Sequence, residues 1–114
     1  MRKYDIYWFR LRYEEDFMED NPRRKERPVL VLNDNGIINI VSIAKITSQY
    51  HKNNYQIRDW KEAGLFKPCW VDFSNREIIS ADKLRKEDYI GHLSDYDIQR
   101  IKSQKLDENI TLEV

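Results

Sequence analysis

The chain has 114 residues, 40% of them hydrophobic and 35% charged, with 20 Lys and Arg balanced by 20 Asp and Glu. That length fits one domain with a core of its own, and the zero net charge excludes a whole-protein field for nucleic acid or membrane, so any anion site must be a local patch. The lone Cys69 excludes an internal disulfide, and no apolar run reaches spanning length, so a soluble, reducing, cytoplasmic setting is expected.

Residues 4–13 alternate, with Tyr7, Phe9, Leu11 and Tyr13 on one face and Ile6, Trp8, Arg10 and Arg12 on the other, which predicts a strand. Residues 14–26 have no period, are almost wholly charged and contain Asn21-Pro22, the pattern of a long exposed loop. Val29-Leu30-Val31-Leu32 is an unbroken apolar run, as in a strand covered on both faces at the centre of a sheet. Asn33-Asp34-Asn35-Gly36 is turn chemistry, because Asn and Gly tolerate positive φ, and residues 37–46 then read as the returning strand of a hairpin. This hairpin brings Arg27, before the first strand, beside Thr47, at the end of the second.

Tyr55-Gln56-Ile57 reads as a short strand, and residues 59–64 as one or two helical turns closed by Gly64. Residues 69–73 and 77–79 read as two more strands across a turn at Ser74-Asn75-Arg76, and so many short strands predict a barrel or sandwich. The one predicted helix begins at Ser94, an N-cap hydroxyl with Asp97 three residues on, and carries Ile98, Ile101 and Leu106 on a narrow apolar stripe. Loss of the Ser94 cap should cost about 1 kcal/mol. From Asp107 the period is lost, so residues 107–114 are expected to be a frayed or partner-binding tail of a single domain spanning residues 1–114.

Four segments together resemble the PemK/MazF toxin family of type II toxin-antitoxin systems: Asp5-Ile6-Tyr7-Trp8, Arg27-Pro28-Val29-Leu30-Val31-Leu32, Ala44-Lys45-Ile46-Thr47-Ser48, and Ile90-Gly91-His92-Leu93-Ser94. The resemblance implies a mainly β fold, an SH3-like (PemK/CcdB-type) small barrel with a C-terminal α-helix. It also implies a homodimer that cuts single-stranded mRNA with no cofactor or metal. A cognate antitoxin would inhibit it, and the complex of the two would bind DNA in autoregulation.

Cleavage of that kind uses the substrate's own 2′-OH, so the protein must accept that proton, stabilise charge on the phosphorane oxygens and protonate the leaving 5′ oxygen. By the resemblance Arg27 is catalytic, and its planar, permanently charged fork suits phosphate oxygens. Thr47 matches the family's motif threonine and is expected to hold a phosphate oxygen or orient Arg27, with Ser48 a lesser companion. The family's usual Gly-Ser-Glu-Gln-Gly-like loop before the arginine is replaced by residues 21–26. There Arg23, Arg24 and Lys25 form either a phosphate clamp or a solvated loop balanced by Glu14, Glu15, Asp16, Glu19 and Asp20. The general base is left open among His51, Glu26 and Asp16. Tyr50, Tyr55 and Trp60 are candidate stacking faces for unpaired bases, Tyr50 alone being expected to be exposed. Cys69 and His92 read as structural. The competing reading is a non-catalytic barrel that binds a protein partner, an antitoxin or a topoisomerase-type target, or that binds RNA without cutting it.

Overall fold

A computed structural model of the chain describes residues 1–10, 26–35 and 39–108. Six strands form one antiparallel sheet, β1 (Asp5–Arg10), β2 (Glu26–Asn35), β3 (Ile40–Thr47), β4 (Tyr55–Gln56), β5 (Trp70–Ser80) and β6 (Tyr89–His92), followed by helix α1 (Asp95–Ser103). The order β4-β5-β3-β2-β1-β6 puts β2 and β3 in the middle and leaves β4 and β6 as edges, so the sheet curls as a half-barrel without closing.

The apolar run on β2 is central because both of its faces are covered. Leu30 and Leu32 join Ile6, Ala44, Ile46 and Ile101 in a core beneath α1, while Val29 and Val31 join Tyr7, Val41, Ile43 and Leu84 on the other face. Each Val, Leu and Ile among them contributes roughly 1.5–3 kcal/mol by leaving water. The predicted alternation in β1 is observed, with Ile6 facing one core and Tyr7 the other.

Several expectations shift. Tyr4 precedes the first strand in a left-handed conformation, φ 77°, with its ring buried, its N–H on the Val31 carbonyl and its carbonyl taken by the Leu93 N–H. Residues 11–25, and with them the far end of the predicted strand and most of the charged loop, lie outside the described residues. The hairpin turn falls later than Asn33-Gly36, because Asn33, Asp34 and Asn35 stay in the ladder opposite Ser42, Val41 and Ile40. A bulge at Leu32 admits this extra length.

The two strands expected at 69–73 and 77–79 are one, β5. Ser74-Asn75-Arg76 does not reverse the chain. Ala44 pairs with Arg76 while Lys45 pairs with Asp72, so residues 73–75 bulge out of a continuous strand. Asp72 accepts the Ser74 N–H at 3.1 Å, the local chemistry of a turn, and Arg76 bridges the Phe73 and Leu106 carbonyls. A turn signal in the sequence therefore became a bulge once β3 supplied pairing on both sides of it.

Helix α1 begins as predicted, with the Ser94 hydroxyl accepting the Asp97 N–H at 3.2 Å. It ends with the Leu106 N–H on the Ile101 carbonyl and the Lys105 N–H on the Lys102 carbonyl, Lys105 adopting φ 56° in the place usually given to glycine. The turn at 59–65 uses the same closure with its glycine in place: the Leu65 N–H reaches the Trp60 carbonyl, the Gly64 N–H reaches that of Lys61, and Gly64 has φ 94°. Asp107, where the tail was expected to begin, accepts the Tyr4 hydroxyl and pairs with Lys3 at 3.2 Å. Residues 109–114 lie outside the described ones.

Candidate active site

The end of the sheet where β2 begins and β3 ends opens into a cleft of about 630 Å³. Arg27 and Thr47 both line it. The register explains why: the β2–β3 ladder ends with Val29 opposite Lys45, and Arg27 and Thr47 each lie two residues beyond that pair, at the same end of the sheet. Ala44 and Ile46 are fully buried on one face of β3, so alternation turns Lys45 and Thr47 to the other, the face that Val29 and hence Arg27 share.

The remaining walls come from distant parts of the chain. The stretch after the Gly64 turn contributes Leu65, Phe66 and Lys67, β6 contributes Tyr89 and Ile90, and β1 contributes Trp8. Two glycine contacts lock these walls together. A Cβ on Gly91 would lie 2.1 Å from the Ala63 carbonyl oxygen, and one on Gly64 would lie 2.6 Å from that of Ile90. Only bare backbone allows the 59–65 turn to sit this close to β6.

The chemistry of the cleft is cationic. Among its described lining residues Arg27, Lys45 and Lys67 stand against one carboxylate, Glu26, a local excess of positive charge on a chain of zero net charge. The exposed Arg27 guanidinium donates to the Glu26 carbonyl at 3.0 Å. The Thr47 hydroxyl accepts the Gln49 N–H at 3.1 Å, which fixes its oxygen and leaves its proton to donate into the cleft. Ser48 and Gln49 line the same wall, and Phe66, 83% exposed, stands at the rim.

The structure brings together Arg27, Thr47 and Ser48 of the predicted site and leaves others apart. Tyr50 is 72% exposed as expected, while Tyr55 and Trp60 are half-buried, but Tyr50 does not line the cleft; its ring lies edge-on to Trp70 with centroids 6.0 Å apart. His51 is also outside it, its Nδ1 accepting the Asn53 N–H at 3.2 Å within its own turn. Arg23, Arg24, Lys25 and Asp16 lie outside the described residues. Of the three candidate bases, Glu26 is the one that the described cleft contains.

Cys69 reaches the cleft wall but is buried in the core; burial pushes its thiol up, Lys67 opposes this in part, and its Sγ donates to the Lys67 carbonyl at 3.3 Å. His92 meets buried Asp5 at 2.7 Å, which ties β6 to β1 and agrees with its structural reading. Among the described residues no cluster of His, Cys, Asp or Glu is arranged to hold a metal ion, and no helix is long and apolar enough to cross a membrane.

Reading the sequence for motifs overlooked Lys45, Gln49, Phe66 and Lys67. Lys45 had a signal, since period two places it on the face of Thr47 within Ala44-Lys45-Ile46-Thr47. Phe66 and Lys67 had none, because their approach depends on the two glycine contacts across the cleft.

Comparison with known proteins agrees with this architecture. A solved structure described as an endoribonuclease in complex with its cognate antitoxin from Mycobacterial species superposes with a TM-score of 0.63 at 17% identity, covering 89% of this chain and 84% of that one. This likeness concerns the fold. No curated protein matches the chain. The family model for the PemK-like, MazF-like toxin of type II toxin-antitoxin systems matches residues 2–107. With nearly the whole chain, including the strands that carry Arg27 and Thr47, inside that match, the chain belongs to the PemK-like, MazF-like toxin family.

Proposed function

We propose that this toxin is an endoribonuclease that cuts single-stranded RNA by attack of the substrate's 2′-OH, with Arg27 stabilising the phosphorane. The observation that carries this reading is the convergence of Arg27, Thr47, Lys45 and Lys67 on one open cleft. The guanidinium meets two phosphate oxygens at once, and the Thr47 proton, with its oxygen held by Gln49, is free to fix a third contact. Lys45 and Lys67 draw the flanking backbone into place. We assign the 2′-OH proton to Glu26, the carboxylate among the described lining residues; the 2′ oxygen displaces the 5′ oxygen, which takes a proton from the protonated Glu26 or from water, leaving a 2′,3′-cyclic phosphate on one side and a 5′-OH on the other. None of these roles calls on a metal ion, so cleavage should persist in a chelator.

Arg27→Ala should lose roughly 10²–10³-fold in cleavage rate, as on removal of another oxyanion donor. A variant that cuts as fast as wild type rules out the role given to Arg27. The expected protein partners are a cognate antitoxin, which the structural neighbour is described as binding, and a second copy of the chain. RNA-protection assays with the antitoxin, and sedimentation, test these two in turn.

A further inference from the structure

The cleft is not the only cationic surface. On the outer side of α1, Lys52, Arg58 and Arg100 surround Tyr96 in a second groove that has no carboxylate among its described lining residues. The Arg58 guanidinium lies 5.2 Å and that of Arg100 5.8 Å from the Tyr96 ring centroid, and Arg58 also donates to the Tyr96 hydroxyl at 3.3 Å. Tyr96 remains 43% exposed between them. Asp97 beneath this shelf makes no ion pair with its cations: its carboxylate is wholly buried and accepts from the Tyr55 hydroxyl and the Arg58 and Asp59 N–H groups.

The segment that leaves the cleft leads to this shelf. Gln49 lines the first groove and Lys52 the second, three residues apart, a reach of at most about 11 Å. Between them stands Tyr50, the most exposed tyrosine in the described chain. A single strand sets its phosphates against cations and its bases against rings or guanidinium planes, and exposed Tyr50 together with the Arg58-Tyr96-Arg100 group offers all three.

We propose that the RNA strand held in the cleft continues over Tyr50 onto the Lys52-Arg58-Tyr96-Arg100 shelf, which grips a flanking stretch at a distance from the cut. This rests on the reading of the cleft as an RNA site. Continuity with the cleft, and ring faces set among the charges, favour a nucleic-acid strand over an acidic polypeptide as the occupant.

The test is fluorescence anisotropy with randomised 2′-O-methyl RNA, which cannot be cut by 2′-OH attack, at lengths of about 4 and about 12 nucleotides. The double variant Arg58→Gln/Arg100→Gln should fold, since both side chains are exposed and the side-chain contacts they make here are with exposed Tyr96, while the Arg58 N–H that Asp97 holds is kept. It should bind the short strand like wild type but lose roughly tenfold on the long one, and its log-log salt slope on the long strand should fall by about 1.4. Arg58→Lys/Arg100→Lys should restore the slope, because Lys supplies the same charge. Unchanged affinity and slope for the long strand overturn the shelf while leaving the cleft reading intact. A double variant that keeps RNA but loses a polyglutamate peptide overturns it in favour of an acidic protein partner. Wild type that binds neither length overturns the cleft reading together with the shelf.

Discussion

Asp97 is the residue whose loss the fold should feel most. It is fully buried, and its Oδ1 accepts the Tyr55 hydroxyl at 2.5 Å and the Arg58 N–H at 2.9 Å, while its Oδ2 accepts the Asp59 N–H at 2.9 Å. Asn keeps the shape but offers one acceptor oxygen, so its NH₂ must face at least one donor that has no other partner. A hydrogen bond to a buried charge contributes about 1.5–3 kcal/mol, and a stranded donor costs a further 1–3, so Asp97→Asn should destabilise by roughly 2–4 kcal/mol. Asp97→Ala, which strands all three donors, should cost about 3–5 kcal/mol. At this chain length 3 kcal/mol corresponds to a fall in Tm of roughly 10–15 °C. Urea unfolding followed by far-UV circular dichroism and tryptophan fluorescence measures this. Asp95→Asn on the exposed first turn is the control, expected to cost under about 1 kcal/mol through the helix dipole. If Asp97→Asn came within about 0.5 kcal/mol of wild type, the carboxylate would not be what clamps α1 to the 55–59 segment.

Gly91→Ala should cost at least about 1–3 kcal/mol by overpacking, since its Cβ would lie 2.1 Å from a backbone oxygen that cannot rotate away, and thermal unfolding reads this directly. RNA cleavage well below its Tm should fall as well, because the wall bearing Lys67 must move. Lys105→Gly should raise stability by about 1 kcal/mol, since it relieves a left-handed residue at the helix end, and an unchanged urea midpoint would contradict this. Burial pushes the Asp107 carboxyl up, but hydrogen bonds from Tyr4 and Lys3 and the charge of Lys3 outweigh it and hold the group below its ordinary value of 3.8. Its folded form therefore favours the carboxylate, and its stabilisation is present above pH 4 and lost as pH falls through the lowered value. Wild type and Asp107→Asn should accordingly differ in stability at pH 7 and draw together as pH falls below 3.8 and through the lowered value, which acid titration of the two proteins checks.

The sheet was legible where local pattern and tertiary environment agree. Val29 to Leu32 could only be a strand buried on both faces, and the Ser94 cap located α1 to the residue. Ser74-Asn75-Arg76 misled because the chemistry of a turn and of a bulge is the same, and only the partner strand decides between them. Asp97 was legible as a capping residue but not as a clamp, since the N–H groups it binds lie about forty residues away. In the cleft, Arg27 and Thr47 were within reach of hairpin reasoning because the ladder that pairs Val29 with Lys45 runs towards both. Phe66 and Lys67 were not, because what brings them there is the absence of side chains at Gly64 and Gly91.

The pairing of β1 with β6 has a consequence for the order in which the molecule is made. Asp5 meets His92 and the Leu93 N–H closes on Tyr4, so strand β1, paired on one edge with β2, waits for the partner of its other edge until some eighty-five residues later. At about 5–20 residues per second, a ribosome takes at least several seconds to supply it. Tyr89 and Ile90 arrive with that late strand, so a nascent chain has one wall of its cleft missing until β6 has been made. Under the proposed activity, the protein could not cut the messenger from which it is being read until the last quarter of the domain had emerged.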